Sequence, residues 1–195
     1  VSRGVAPRDH SFAQNLKSVL VMTVRPLSND KRDTVRRHGI EVISVPDQRW
    51  ARCDIKSISL LPNVLARQKA RDAKVQEAWQ IDEQGMVTEG AATNAWIVDA
   101  QGFLRTRPAH GAILNGIVRQ VLLQCASEAG LKLKEEAFSL EEAKAAKEAF
   151  STASTMAVFP VISSDGDKIA NGKPGPIAEK LAAARFECTR LIKKR

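Results

Sequence analysis

The chain is predicted to fold as one mixed α/β domain. Short apolar runs with strand-like spacing recur at residues 40–45, 77–82, 93–98 and 156–162. Residues 117–129 and 176–192 instead place apolar side chains at helical spacing. The 195 residues, 44% hydrophobic, suffice for one sizeable core. The strands are spaced too irregularly for a doubly wound dinucleotide fold, and no G-x-G-x-x-G run occurs.

Residues 18–24 (S-V-L-V-M-T-V) read as a buried strand, and residues 40–45 as another. Between them residues 26–39 are polar and basic, with a short helix expected near 31–38. Residues 45–61 alternate apolar and polar without a helical repeat, which predicts strand or strand-end geometry around Lys56. Pro62 can open a helix as a first-turn proline, running to about Lys74 with Val64, Leu65, Ala70 and Ala73 inward. The strands at 77–82 and 93–98 are joined through 83–85 and 89–92. Residues 99–102 then read as a hairpin turn, and 103–106 as its returning strand.

Gly116 precedes the helix over 117–129, whose inward face is Ile117, Val121, Leu122, Cys125 and Ala129, and Gly130 ends it. Ser139 and Glu142 have capping-box spacing and start a helix of about ten residues. The strand over 156–162 leads into an Asp165-Gly166 turn and a short strand at 168–170. The helix over 176–192 closes the chain, with Ile177, Leu181, Ala184, Cys188 and Leu191 inward. Residues 193–195 read as its solvated basic end.

Composition excludes several functions. A net charge of +8 invites a nucleic-acid reading, but the cations are scattered. Aromatics make up 5% of the chain, with no tyrosine, so there is no platform on which bases could stack. No apolar run approaches the length of a membrane-spanning helix. Cys53, Cys125 and Cys188 are widely spaced and form no C-x-x-C pair; the expectation is reduced thiols in a cytoplasmic protein and no metal site.

Lys56 has two readings on its residues alone. A lysine among apolar neighbours can snorkel to water. Held in a cleft, it loses solvation and becomes an amine nucleophile toward carbonyls. Glu89, on composition alone, reads as a surface acid beside a glycine turn.

Five segments bear on that choice. Residues 54–68 read D-I-K-S-I-S-L-L-P-N-V-L-A-R-Q and carry Lys56; residues 87–98 read V-T-E-G-A-A-T-N-A-W-I-V and carry Glu89. Residues 2–10 (S-R-G-V-A-P-R-D-H), 113–119 (I-L-N-G-I-V-R) and, more weakly, 151–161 (S-T-A-S-T-M-A-V-F-P-V) complete the set. In this order they closely resemble the D-amino-acid aminotransferases, pyridoxal-phosphate enzymes of fold type IV. The resemblance covers nearly the whole chain and implies that family's larger domain, a mixed β-sheet curled into a pseudo-barrel and flanked by helices. It implies transamination between a D-amino acid and a 2-oxo acid. The alternatives are a branched-chain aminotransferase, an aminodeoxychorismate lyase, or a truncated non-catalytic remnant.

The resemblance also implies site roles. Lys56 holds the cofactor aldehyde and shuttles the proton; Glu89 partners the pyridine nitrogen and strengthens the electron sink. Gly116, Ile117 and Val118 open a helix whose amides cradle the phosphate, Val118 standing where the family often has threonine. Ala153 and Ser154 supply the other half of that cradle. Arg8 and His10, in the P-R-x-H spelling of the D-amino-acid enzymes, trap the substrate carboxylate in the partner subunit, which implies a homodimer. His38 and His110 match no family role and are expected at the surface. The motif of residues 2–10 follows a smaller N-terminal domain in the family. Residues 1–195 are therefore expected to be the C-terminal, cofactor-binding portion of a longer protein.

Overall fold

The computed structural model describes residues 1–192, with side chains through 184. The inward placement expected for Cys188 and Leu191, and the basic end at 193–195, lie outside the described residues.

After a largely irregular segment come α1 (Asn29–His38), β1 (Ile40–Pro46), α2 (Leu61–Asp72), β2 (Glu77–Ile81), β3 (Val87–Gly90), β4 (Asn94–Val98) and β5 (Leu104–Thr106). There follow α3 (Ile117–Glu128), β6 (Leu133–Glu135), α4 (Leu140–Lys144), β7 (Glu148–Ala153), β8 (Ala157–Ser164), β9 (Asp167–Lys168) and α5 (Pro176–Ile192). The strands join one mixed sheet in the order β3-β2-β1-β8-β7-β4-β5-β6, with β9 on β8. β1 runs parallel to both β2 and β8, whereas β7 pairs antiparallel with β4 and β8. β3 stands at one end of this order, yet the turn between its Gly90 and Thr93 delivers the chain straight into β4. The sheet must therefore curl, and the cleft opens at strand ends, beside Gly90 of β3, Asn94 of β4 and Ala153 of β7.

Both faces of the sheet are covered, so β4 is apolar and buried along its whole length apart from Asn94, which is buried but polar. Trp96 and Val98 enter a cluster with Leu122 of α3 and Leu181 of α5. Ala95 and Ile97, pointing the other way, enter a second cluster with Trp79, Phe138 and Val161. Trp96 stacks on Phe150, its neighbour across β4 and β7, at 5.7 Å between ring centroids. Each fully buried leucine, such as Leu122 or Leu181, contributes about 2 kcal/mol.

Local signals explain the ends of elements. Ser139 and Glu142 form the expected reciprocal capping box. The helix it starts has five residues rather than ten, because the chain must enter β7 at Glu148. The Asp165-Gly166 turn joins β8 to β9 with both residues at positive φ, the geometry a two-residue hairpin needs.

Four further expectations are corrected. Residues 18–24 do not form a strand: Val19, Leu20, Val21, Met22 and Val24 are exposed, and the segment makes only an isolated bridge from Val19 to Ser2. Lys56 lies in the loop between β1 and α2, since β1 ends at Pro46. On α2 the buried residues are Ala66 and Ala70, which sit close over Val45 and Ala78, while Val64 and Leu65 are about half exposed. A similar rotation occurs on α3, where Val118, Leu122, Cys125 and Ala126 face inward and Ile117 is exposed.

Candidate active site

One open cleft of about 1540 Å³ is lined by Lys56, Glu89, Gly116, Ile117, Val118, Ala153 and Ser154, which come from four separate segments of the sequence. The β1–α2 loop brings in Lys56, whose side chain is exposed within the cleft wall. That loop is tied down by a hydrogen bond from the Cys53 amide to the Gly111 carbonyl, 2.9 Å. At the start of α2, Asn63 Nδ2 donates to the Ala91 carbonyl at 2.9 Å. The lysine loop is thereby joined to the turn that follows Glu89.

Glu89, next to last in β3, is almost fully buried, and its carboxylate is gripped from three directions. Asn94 Nδ2 donates to Oε2 at 3.0 Å, the Leu114 amide donates to the same oxygen at 3.1 Å, and Arg49 Nη1 donates to Oε1. Arg49 has a side chain only 5% exposed. Its Nε and Nη2 donate to the two oxygens of Asp47 at 2.9 and 2.6 Å, and Nη2 also reaches Thr88 Oγ1 and the Ala112 carbonyl, both at 3.1 Å. Burial is the largest influence on Glu89 and pushes its carboxyl up to about 7, against the pull of Arg49 and the Leu114 amide. Asp47 feels the same desolvation, but hydrogen bonds from Arg49 and Thr88 outweigh it and hold that carboxyl below its usual range.

Gly116 is the N-cap of α3, and no side chain caps the helix there. A β-carbon on Gly116 would lie 2.5 Å from Asn94 Oδ1, so only glycine lets the helix start this close to the Glu89 network. Across the cleft, Ala153 ends β7 and Ser154 follows it. The hydroxyls just before them are otherwise engaged. Ser151 Oγ accepts from Trp79 Nε1 at 2.9 Å and Thr152 Oγ1 accepts from Trp96 Nε1 at 3.0 Å, both inside the core. Arg8 and His10 do not line the cleft and sit on the exposed N-terminal segment. His38 and His110 are both exposed.

The family described as Amino-transferase class IV matches residues 1–164, the span that holds every one of these cleft residues. The chain belongs to that family. Among the class IV aminotransferases it is similar to the D-alanine aminotransferase of Bacillus licheniformis, 39% identical over 94% of this chain and 64% of that enzyme. The corresponding enzyme of Staphylococcus haemolyticus is 38% identical over 92% of this chain and 63% of its own length. The chain thus spans a little under two thirds of these relatives. Among solved structures, the branched-chain aminotransferase of Thermoproteus uzoniensis with norvaline superposes with a TM-score of 0.71, at 30% identity, covering 77% of this chain and 51% of that one. The branched-chain amino acid aminotransferase of Escherichia coli gives 0.69 at 28% identity, over 78% of this chain and 53% of its own.

Sequence reasoning misses Arg49 and Asn94 as members of the site. Arg49 stands two residues after Asp47, where the strand pattern turns charged, and that is its only signal. Asn94 reads merely as part of a strand, although it bridges Glu89 and the Leu114 carbonyl.

Proposed function

We propose that this chain forms the cofactor-binding portion of a D-amino-acid aminotransferase, exchanging an amino group between a D-amino acid and a 2-oxo acid. The observation that carries this reading is the meeting of Lys56, Glu89 and the uncapped start of α3 around one cleft. An amine, a buried acid and a helix N-terminus are what pyridoxal phosphate requires for its aldehyde, ring nitrogen and phosphate. The residues present fit that group. Burial pushes the Glu89 carboxyl upward, and a ring N–H would give this desolvated group a further donor.

When bound, pyridoxal phosphate supplies an aldehyde that condenses with amines and a ring that withdraws electrons from the adjoining carbon. Lys56 Nζ would hold the aldehyde at rest. Once displaced by substrate, it would take the proton from the substrate α-carbon and return it on the cofactor side. Glu89 would hold the ring nitrogen, with Arg49 and Asn94 fixing its carboxylate. Gly116, Ile117 and Val118 would present backbone amides to the phosphate, opposite Ala153 and Ser154. Arg8 and His10 stand outside this chain's own cleft; on this reading they would bind the substrate carboxylate in the partner's cleft of a homodimer. A cytoplasmic location belongs to the same reading; no described helix is long and apolar enough to cross a membrane.

The second reading, a branched-chain aminotransferase, is favoured by the solved structures at 28–30% identity. The P-R-x-H spelling ending at His10 and the higher identity to D-alanine aminotransferases favour the first. Assay of 2-oxoglutarate with D-alanine and with L-leucine, in the presence of pyridoxal phosphate, separates them. Transfer from D-alanine alone is expected; transfer from L-leucine alone would replace the first reading by the second.

A further inference from the structure

Arg32 Nη2 donates to the Thr155 carbonyl at 2.8 Å, across a sequence separation of 123 residues. Thr155 lies in the middle of the turn from β7 to β8, next to Ser154 in the cleft wall. That turn is held from within by short-range bonds, such as the one the Val158 amide donates to the Met156 carbonyl at 3.1 Å. Its Met156 amide reaches the Ala153 carbonyl only at 3.4 Å, the outer limit of a hydrogen bond. It then hands over to Ala157, a buried residue at φ 72, a conformation a side-chain-bearing residue keeps only when its surroundings enforce it. The tether from Arg32 is the shorter, charge-assisted bond and comes from outside the turn.

The donor is itself well anchored. Val35, one helical turn after Arg32 on the same face of α1, packs against the core cluster that contains Ile40, Val42 and Val161. Arg32 is half-buried at the rim of that contact. The strand that follows α1, β1, pairs with β8, so α1 is packed against the strand that the turn leads into.

We propose, on the strength of the cofactor reading above, that Arg32 is a positioning residue for the Ser154 turn. Its hydrogen bond holds the turn in the shape that receives a phosphate, and so sets the preference of the cleft for phosphorylated over unphosphorylated aldehyde. Arg32 touches the turn backbone and acts through Ser154.

The test titrates the chain with pyridoxal phosphate and, separately, with pyridoxal, following quenching of tryptophan fluorescence. Arg32→Ala is expected to weaken pyridoxal phosphate about fivefold, the scale of one lost hydrogen bond, and to leave pyridoxal unchanged. Arg32→Lys, which keeps a cationic donor, should recover most of the loss, and circular dichroism should give all three proteins one melting curve. Equal losses for both compounds, or no loss for either, overturn the role of Arg32 while leaving the cofactor reading in place. A wild-type chain that binds neither compound overturns both.

Discussion

Arg49 and Glu89 form an ion pair at the floor of the cleft, with the arginine held from its other side by Asp47 at 2.6 Å. Neither partner of the pair is more than 9% exposed in its side chain. One guanidinium thus serves the buried Glu89 carboxylate and the partly buried Asp47 carboxylate, and removing it strands both. Arg49→Leu is expected to destabilise the chain by about 3 kcal/mol, the scale for breaking a buried pair on one side. Urea unfolding monitored by circular dichroism measures it. A loss under about 1 kcal/mol would mean that water enters freely and that the pair is a surface one.

Glu89 also makes a pH prediction whose sign can be worked out. Burial raises its folded pKa to about 7 from an ordinary 4.5. Between those values the folded chain holds a proton that the unfolded chain releases, so stability falls as pH rises through the window. The fall is about 3 kcal/mol at most. Asp47, with a lowered pKa, acts in the opposite sense and at lower pH, below its usual 3.8. Glu89→Gln should therefore flatten the decline between about pH 4.5 and 7 when melting is followed across that range. Parallel curves for the two proteins would show that Glu89 does not titrate there.

Gly116→Ala tests the crowded start of α3. The new methyl group would lie 2.5 Å from Asn94 Oδ1. Relief requires Asn94 to turn away from Glu89 Oε2 and from the Leu114 carbonyl, bonds of 3.0 and 2.8 Å. Loss of about 1–2 kcal/mol of stability is expected, with about tenfold weaker binding of pyridoxal phosphate. Unchanged affinity would place the anion site elsewhere.

The hydroxyls of residues 151–155 divide into two kinds, and paired substitutions separate them. Ser151→Ala leaves the fully buried Trp79 indole without its acceptor, which should cost about 1–3 kcal/mol and leave cofactor affinity intact. Ser154→Ala, on an exposed turn in the cleft, should do the reverse. Thermal melts and cofactor titration on the same two proteins check both halves.

What is legible in the sequence follows from where each residue's partners lie. The helix over Pro176–Ile192, the strand at Ile40 and the Ser139 capping box are set by neighbours a few residues away, and each stands where its local pattern puts it. Residues 18–24 carry the pattern of a buried strand and are exposed here. Apolar spacing states what a segment is able to bury, and only the surrounding structure states whether a surface is there to receive it. β3 reads as a connector because Thr88 and Glu89 are polar, and they are buried only through bonds to Asp47, Arg49 and Asn94. Arg49 and Glu89 are 40 residues apart, a distance over which no local pattern signals contact. The cleft residues are legible through resemblance of whole segments, which carries such long-range pairing implicitly.

The central claim is that the Nζ of Lys56 is the atom that captures the cofactor aldehyde. Incubation with pyridoxal phosphate, borohydride reduction and mass mapping of the peptides test it directly. A stable phosphopyridoxyl label on Lys56, absent from Lys56→Ala, is the result expected. Label spread over surface lysines outside the cleft such as Lys31 and Lys69, or equal labelling of the Lys56→Ala chain, would contradict it.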